Sequence, residues 1–124
     1  MRRILILGSV LILPLTFINT ANASCAVVDN GANVCDGSTT ISSGGTAQNL
    51  FAGVVPKNGY DVSNPNPSED CWVSDTTTAA ANAVGSIRLQ ANGGWYETPL
   101  GKEPIAAVSI LCATTGHKIT ASRW

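Results

Sequence analysis

The sequence predicts an all-β domain, a small β-sandwich or jelly roll of about eight short strands with two disulfides. Three observations lead there. Turn-forming residues recur at short intervals: Asn30-Gly31, Asp36-Gly37, Gly44-Gly45, Asn58-Gly59, Asn64-Pro65-Asn66-Pro67, Gly85, Asn92-Gly93-Gly94, Gly101, Pro104 and Gly116. The runs between them have strand length, and no amphipathic helical pattern lasts three turns. Four cysteines, Cys25, Cys35, Cys71 and Cys112, follow a segment that reads as an export signal. An even count in a small exported chain implies paired thiols.

That signal opens the chain. Met1-Arg2-Arg3 supplies a positive start, Ile4 to Ile18 an apolar run of 15 residues, and Ala21-Asn22-Ala23 a small-residue cleavage site. A membrane-spanning helix needs roughly 20 apolar residues, and Pro14 and Thr16 weaken this run further. Lipidation at Cys25 is the rival processing, but Asn22-Ala23-Ser24 lacks the Leu-like residue that usually opens such a box. The expected division is a signal peptide over 1–23, a disulfide-tied N-terminal segment over 24–43 and a β-sandwich domain over 44–124. The product is exported, periplasmic or extracellular, with no stable membrane span after cleavage.

Cleavage after Ala23 leaves 101 residues, enough for one small domain. Five Lys/Arg then stand against eight Asp/Glu, a net charge of −3. A nucleic-acid groove normally carries a basic stripe, so no nucleic-acid partner is expected. Only 12% of the chain is charged, so its solubility rests on Ser, Thr, Asn and Gly. That composition suits an extracellular β-protein or a surface that lies against something.

The expected strands are Thr39 to Ser42, Ala47 to Phe51, Tyr60 to Ser63, Cys71 to Ser74, Ser86 to Gln90, Trp95 to Thr98, Ala107 to Cys112 and Lys118 to Ser122. Ile87 and Leu89 alternate with Ser86, Arg88 and Gln90, the pattern of one buried face. Val108, Ile110 and Cys112 share a face, as do Cys71 and Val73, which makes a Cys71 to Cys112 bridge between two inward positions reasonable. Four cysteines allow three connectivities; Asp29-Asn30-Gly31 can bring Cys25 to Cys35, so the preferred pairing is Cys25-Cys35 with Cys71-Cys112. The alanine-rich Thr76 to Val84 has no large apolar face and is read as a loop rather than a capped helical turn.

Chemistry is sparse. There is no C-x-x-C, and His117 is the sole histidine, so neither a zinc site nor thioredoxin-like redox work is expected, and no metal or cofactor is assigned. No G-x-S-x-G elbow accompanies His117, which stands in Thr114-Thr115-Gly116-His117-Lys118 and reads as an exposed turn residue. Glu69-Asp70 are adjacent, point in opposite directions in an extended segment and read as a solvated loop face. Gly44-Gly45 lacks the Lys-Ser/Thr of a phosphate loop and reads as a turn. The positive hint is aromatic: Trp95 and Tyr96 follow Asn92-Gly93-Gly94, and strand geometry turns one ring outward if the other is inward. Both are candidate binding residues. Trp124 is expected to pin the last strand or to reach a neighbouring subunit.

Gly44-Gly45-Thr46-Ala47-Gln48-Asn49-Leu50, Cys71-Trp72-Val73, Gly93-Gly94-Trp95-Tyr96-Glu97-Thr98-Pro99, Ala107-Val108-Ser109-Ile110, Ala113-Thr114-Thr115-Gly116 and Thr120-Ala121-Ser122-Arg123-Trp124 form one further pattern. Over residues 44–124 the chain resembles a small domain of phage virion-associated and prophage-derived proteins. The resemblance implies a β-sandwich used for particle decoration or attachment and carries no catalytic residue across. The expected function is therefore a non-enzymatic binding or assembly protein. Its partner is an unknown protein or a polysaccharide, and a homo-oligomer is left open. The alternatives are a small serine hydrolase using His117 and an inhibitor-like protein presenting the loop from Asp61 to Asp70, stiffened by Pro65 and Pro67.

Overall fold

A computed structural model describes residues 34–124. The strands are β1 (Cys35–Asp36), β2 (Thr39–Thr40), β3 (Gln48–Asn49), β4 (Tyr60–Asn64), β5 (Cys71–Ser74), β6 (Ile87–Leu89), β7 (Gly94–Glu97), β8 (Ser109–Cys112) and β9 (Lys118–Arg123). No helix forms among the described residues, and Thr76 to Val84 is indeed a loop. Each expected run holds a strand. β1 is additional.

All pairings are antiparallel. One sheet runs β1-β9-β4-β7, with β2 also paired to β9; the other runs β3-β8-β5-β6. The apolar phase of each strand explains the sandwich. Tyr60 and Val62 of β4, Ile119 and Ala121 of β9, Cys71 and Val73 of β5, Leu89 of β6, and Ile110 and Cys112 of β8 all turn inward. Ile41, Leu50, Phe51 and Val108 close the same core. Within it Tyr60 meets Phe51 edge-on and Tyr96 at a tilt, each with ring centroids 5.7 Å apart. Burial, then the neighbouring Asp75 carboxylate and Tyr96, push the Tyr60 phenol far above its ordinary value, so it stays a neutral donor to Asp75.

The expected Cys71-Cys112 disulfide is present, joining residues directly opposite each other on β5 and β8 with Cα atoms 4.5 Å apart. Cys25 lies outside the described residues, as does the expected signal peptide. Cys35 pairs with Arg123 at the edge of the first sheet.

The described residues before the expected boundary at 43/44 pack with those after it. β1 and β2 both pair with β9, and Ile41 is fully buried. Around Gly37 and Ser38 the two short strands stay tied to β9: Gly37 N–H donates to Ala121 O at 2.8 Å, and Ser38 Oγ accepts the Ala121 N–H at 3.3 Å. The described part of the N-terminal segment is thus an edge of the sandwich.

The chain passes between the sheets at one end four times: from β2 to β3, β4 to β5, β6 to β7 and β8 to β9. Close backbone approach there demands glycine at two places. A Cβ on Gly94 would collide with the Gln90 backbone, and one on Gly44 with the backbone of Ala113 to Thr115. At the opposite end Trp124 lies over Gly59, its N–H donating to Gly59 O at 3.0 Å and its carbonyl accepting from Asn58 at 2.8 Å. Trp124 therefore pins the last strand.

Adjacent residues of β9 test this phase. Ile119→Ala should cost about 2–5 kcal/mol in urea unfolding because Ile119 is fully packed, whereas Thr120→Ala, facing outward, should stay within about 0.5 kcal/mol.

Candidate functional site

Two places concentrate polar or aromatic chemistry. The first is the outer face of the five-stranded sheet. Pairing places Ser63 between Thr120 and Trp95 in one row, and Asp61 between Ser122 and Glu97 in the next, with Asp36 beyond Ser122. Directly opposite residues share a face, so these side chains all lie on the side away from the core. Trp95 is 60% exposed on β7, an edge strand. Its neighbour Tyr96 turns inward against Tyr60, and burial, followed by Asp75, raises its phenol above the usual range. Of the two aromatic candidates the structure presents Trp95 outward and uses Tyr96 to close the core. Asp61 is not wholly available, since its Oδ1 accepts the Ser122 N–H at 2.8 Å.

The second place is the end where the four sheet crossings meet. Asn64, the last residue of β4, is fully buried and fills every hydrogen-bonding position of its amide. Its Nδ2 donates to Glu69 O at 2.7 Å and to Leu89 O at 3.1 Å; its Oδ1 accepts from Asn66 N–H at 3.2 Å and from His117 Nε2 at 2.8 Å. Asn66 Nδ2 lies 3.2 Å from His117 Nδ1. These partners assign the imidazole: Nε2 carries the proton and Nδ1 accepts.

His117 is thus buried, not the exposed turn residue expected from its sequence context; it is 3% exposed. The reason is phase. His117 precedes the inward pair Ile119 and Ala121 by the same two-residue step, and the crossing from β2 covers it, with Ile41 N–H donating to His117 O at 2.8 Å. Both nitrogens are engaged, and no serine hydroxyl is among its partners in the described residues.

Glu69-Asp70 likewise do not form a solvated face. They point apart as expected, but each reaches a different crossing. Glu69 Oε1 accepts the Thr114 N–H at 2.9 Å and stands 3.7 Å from His117 Nδ1. Asp70 binds the Arg88 guanidinium and accepts the Ala91 N–H at 2.7 Å. Burial pushes the Glu69 carboxyl up, but hydrogen bonds from Thr114 and Ala113, with His117 nearby, outweigh it and hold the group below its usual range. The loop beyond Asn64 is similarly tied: Asn92 N–H donates to Asn66 O at 2.6 Å and Gly93 N–H to Asn64 O at 2.8 Å. The expected Asp61 to Asp70 loop is in fact strand to Asn64 and a pinned crossing thereafter.

The sequence spacing gave no metal set, yet folding brings Cys71, Cys112 and His117 together, with their ligand atoms within 4.8 Å of one another. His117 Nε2 is 3.4 Å from Cys71 Sγ. With the sulfurs joined as a disulfide, the imidazole is the one strong ligand of the three. No family model, curated protein or solved structure matches this chain.

A carboxyl held low in the fold stabilises it fully above its unfolded value and loses that contribution as pH falls through the folded value. Wild-type protein should therefore lose stability below pH ~4.3 more steeply than Glu69→Gln, in which the position no longer titrates, when denaturant midpoints are compared down to pH ~2.

Proposed function

We propose that this is an exported, non-enzymatic binding domain that lays the outer face of its five-stranded sheet against a polysaccharide. The observation that carries the reading is Trp95, a large ring 60% exposed on a strand whose register surrounds it with hydroxyls and carboxylates. An indole face packs on the C–H face of a sugar ring, an apolar contact that needs no charge. Ser63 and Thr120 in the same row can donate to and accept from sugar hydroxyls, and Glu97 and Asp36 in the adjoining row accept from them. The sparse charge of the chain fits a neutral, hydroxyl-rich ligand. The apparent export signal, an even cysteine count and the engaged, buried His117 support the same reading over the hydrolase alternative. An attachment role, as the resemblance to phage-associated domains implies, would use the same face.

The test is retention on insoluble glycans. Purified protein passed over cellulose, chitin and peptidoglycan sacculi should bind at least one of them, and Trp95→Ala should weaken that binding at least tenfold, while Val84→Ala, a fully exposed apolar residue elsewhere, leaves it unchanged. No retention on any of the three, together with a strictly monomeric mass by light scattering, would sink the proposal.

A further inference from the structure

We propose that opening the Cys71-Cys112 disulfide converts the buried end of the sandwich into a zinc site, with Cys71 Sγ, Cys112 Sγ and His117 Nε2 as ligands. The three atoms already lie within 4.8 Å of one another, on β5, on β8 and in the turn that leads into β9. From Zn–S and Zn–N bonds of about 2.3 and 2.0 Å, two ligands of one tetrahedral ion stand roughly 3.5 Å apart. His117 Nε2 is 3.4 Å from Cys71 Sγ in the oxidised protein. The two sulfurs must separate and Cys112 Sγ, within 4.8 Å of the other two ligand atoms, must settle at the same spacing from the imidazole; once the bond between the sulfurs is gone their side-chain torsions are free to do so.

The surroundings supply what a zinc-bound imidazole requires. A ligating histidine donates its other ring N–H to an outer group, commonly a carboxylate. Glu69 Oε1 stands 3.7 Å from His117 Nδ1. On zinc binding, Nε2 gives its proton to solvent and takes the metal, Nδ1 takes up a proton from solvent, Asn66 withdraws, and Glu69 accepts the new N–H. Asn64 Oδ1, now 2.8 Å from Nε2, loses that donor and shifts to leave room for the ion. Cys71 and Cys112 are fully buried, so little water competes for the ion.

The chemistry balances. A dithiol gives two electrons and two protons to the Cys71-Cys112 bond, which becomes two thiols as the dithiol becomes a disulfide; a phosphine does the same, taking its oxygen from water. Zinc then replaces the two thiol protons, which leave to solvent. Disulfide and metal are mutually exclusive at this place, so the site exists only in a reducing environment.

The experiment uses the full chain carrying Cys25→Ser and Cys35→Ser, so that Cys71 and Cys112 are its only thiols, and Co2+ as a spectroscopic substitute for zinc. After phosphine reduction, one equivalent of Co2+ should produce thiolate-to-cobalt charge-transfer and tetrahedral ligand-field absorption, which Zn2+ abolishes. The oxidised protein should produce neither. Glu69→Gln should bind about tenfold or more weakly without losing the tetrahedral spectrum. If reduction loosens the fold, one equivalent of Zn2+ should restore its β-sheet circular dichroism. Reduced protein that takes up no Co2+, a loosened chain that zinc does not restore, uptake unaffected by Cys71→Ser, or an affinity unchanged in Glu69→Gln would each overturn the proposal.

Discussion

The sandwich depends on one buried amide. Asn64 ends a strand of the first sheet, yet its side chain bonds to Leu89 O in the second sheet, to the crossing that follows it through Glu69 O and Asn66 N–H, and to His117 at the last crossing. A buried amide without partners costs several kcal/mol, and a half-satisfied network is worse than an apolar one. Here every position is filled, and no buried side-chain nitrogen or oxygen among the described residues lacks a partner. The polar cluster can therefore occupy the end of a small core without destabilising it, and it fixes how four sheet crossings pack.

The disulfide and this cluster divide the work. Closing the 41-residue separation between Cys71 and Cys112 restricts the unfolded chain by about 4 kcal/mol in the chain-entropy model. That restraint does not say how the sheets face each other. The hydrogen bonds of Asn64 and His117 do, because they have direction. With the structural demands concentrated in the core and at one end, the outer face of the five-stranded sheet is free to carry an exposed tryptophan among hydroxyls, which is where the proposed polysaccharide contact lies.

The strands were legible because their signals are local. Turn residues and two-residue alternation act within a few positions, so every expected run contains a strand and the inward phase of Cys71, Val73, Ile110 and Cys112 came out correctly. β1 was missed because two residues, Cys35 and Asp36, carry no alternation; their strand character comes from β9, nearly ninety positions later. The burial of Ile41 is hidden for the same reason, since Ile41 bonds to the distant turn at Gly116 and His117. His117 and Asn64 stand among residues that look like turns, and their burial is created by the crossings. A signal was present: Tyr60, Val62 and Asn64 keep one phase, and so do His117, Ile119 and Ala121. Extending the apolar period by one step into polar residues finds both members of the cluster. The outward placement of Trp95 and the inward placement of Tyr96 needed the core to choose between two phases that strand geometry leaves equal.

The most direct measurement of the central role of Asn64 is a double-mutant cycle of Asn64→Ala and His117→Ala, read by urea unfolding. Because the two side chains share a bond and a network, the double variant should be less destabilised than the sum of the singles by about 2 kcal/mol. Costs that add to within about 0.5 kcal/mol would contradict the account, showing that the two residues stabilise the end of the sandwich independently.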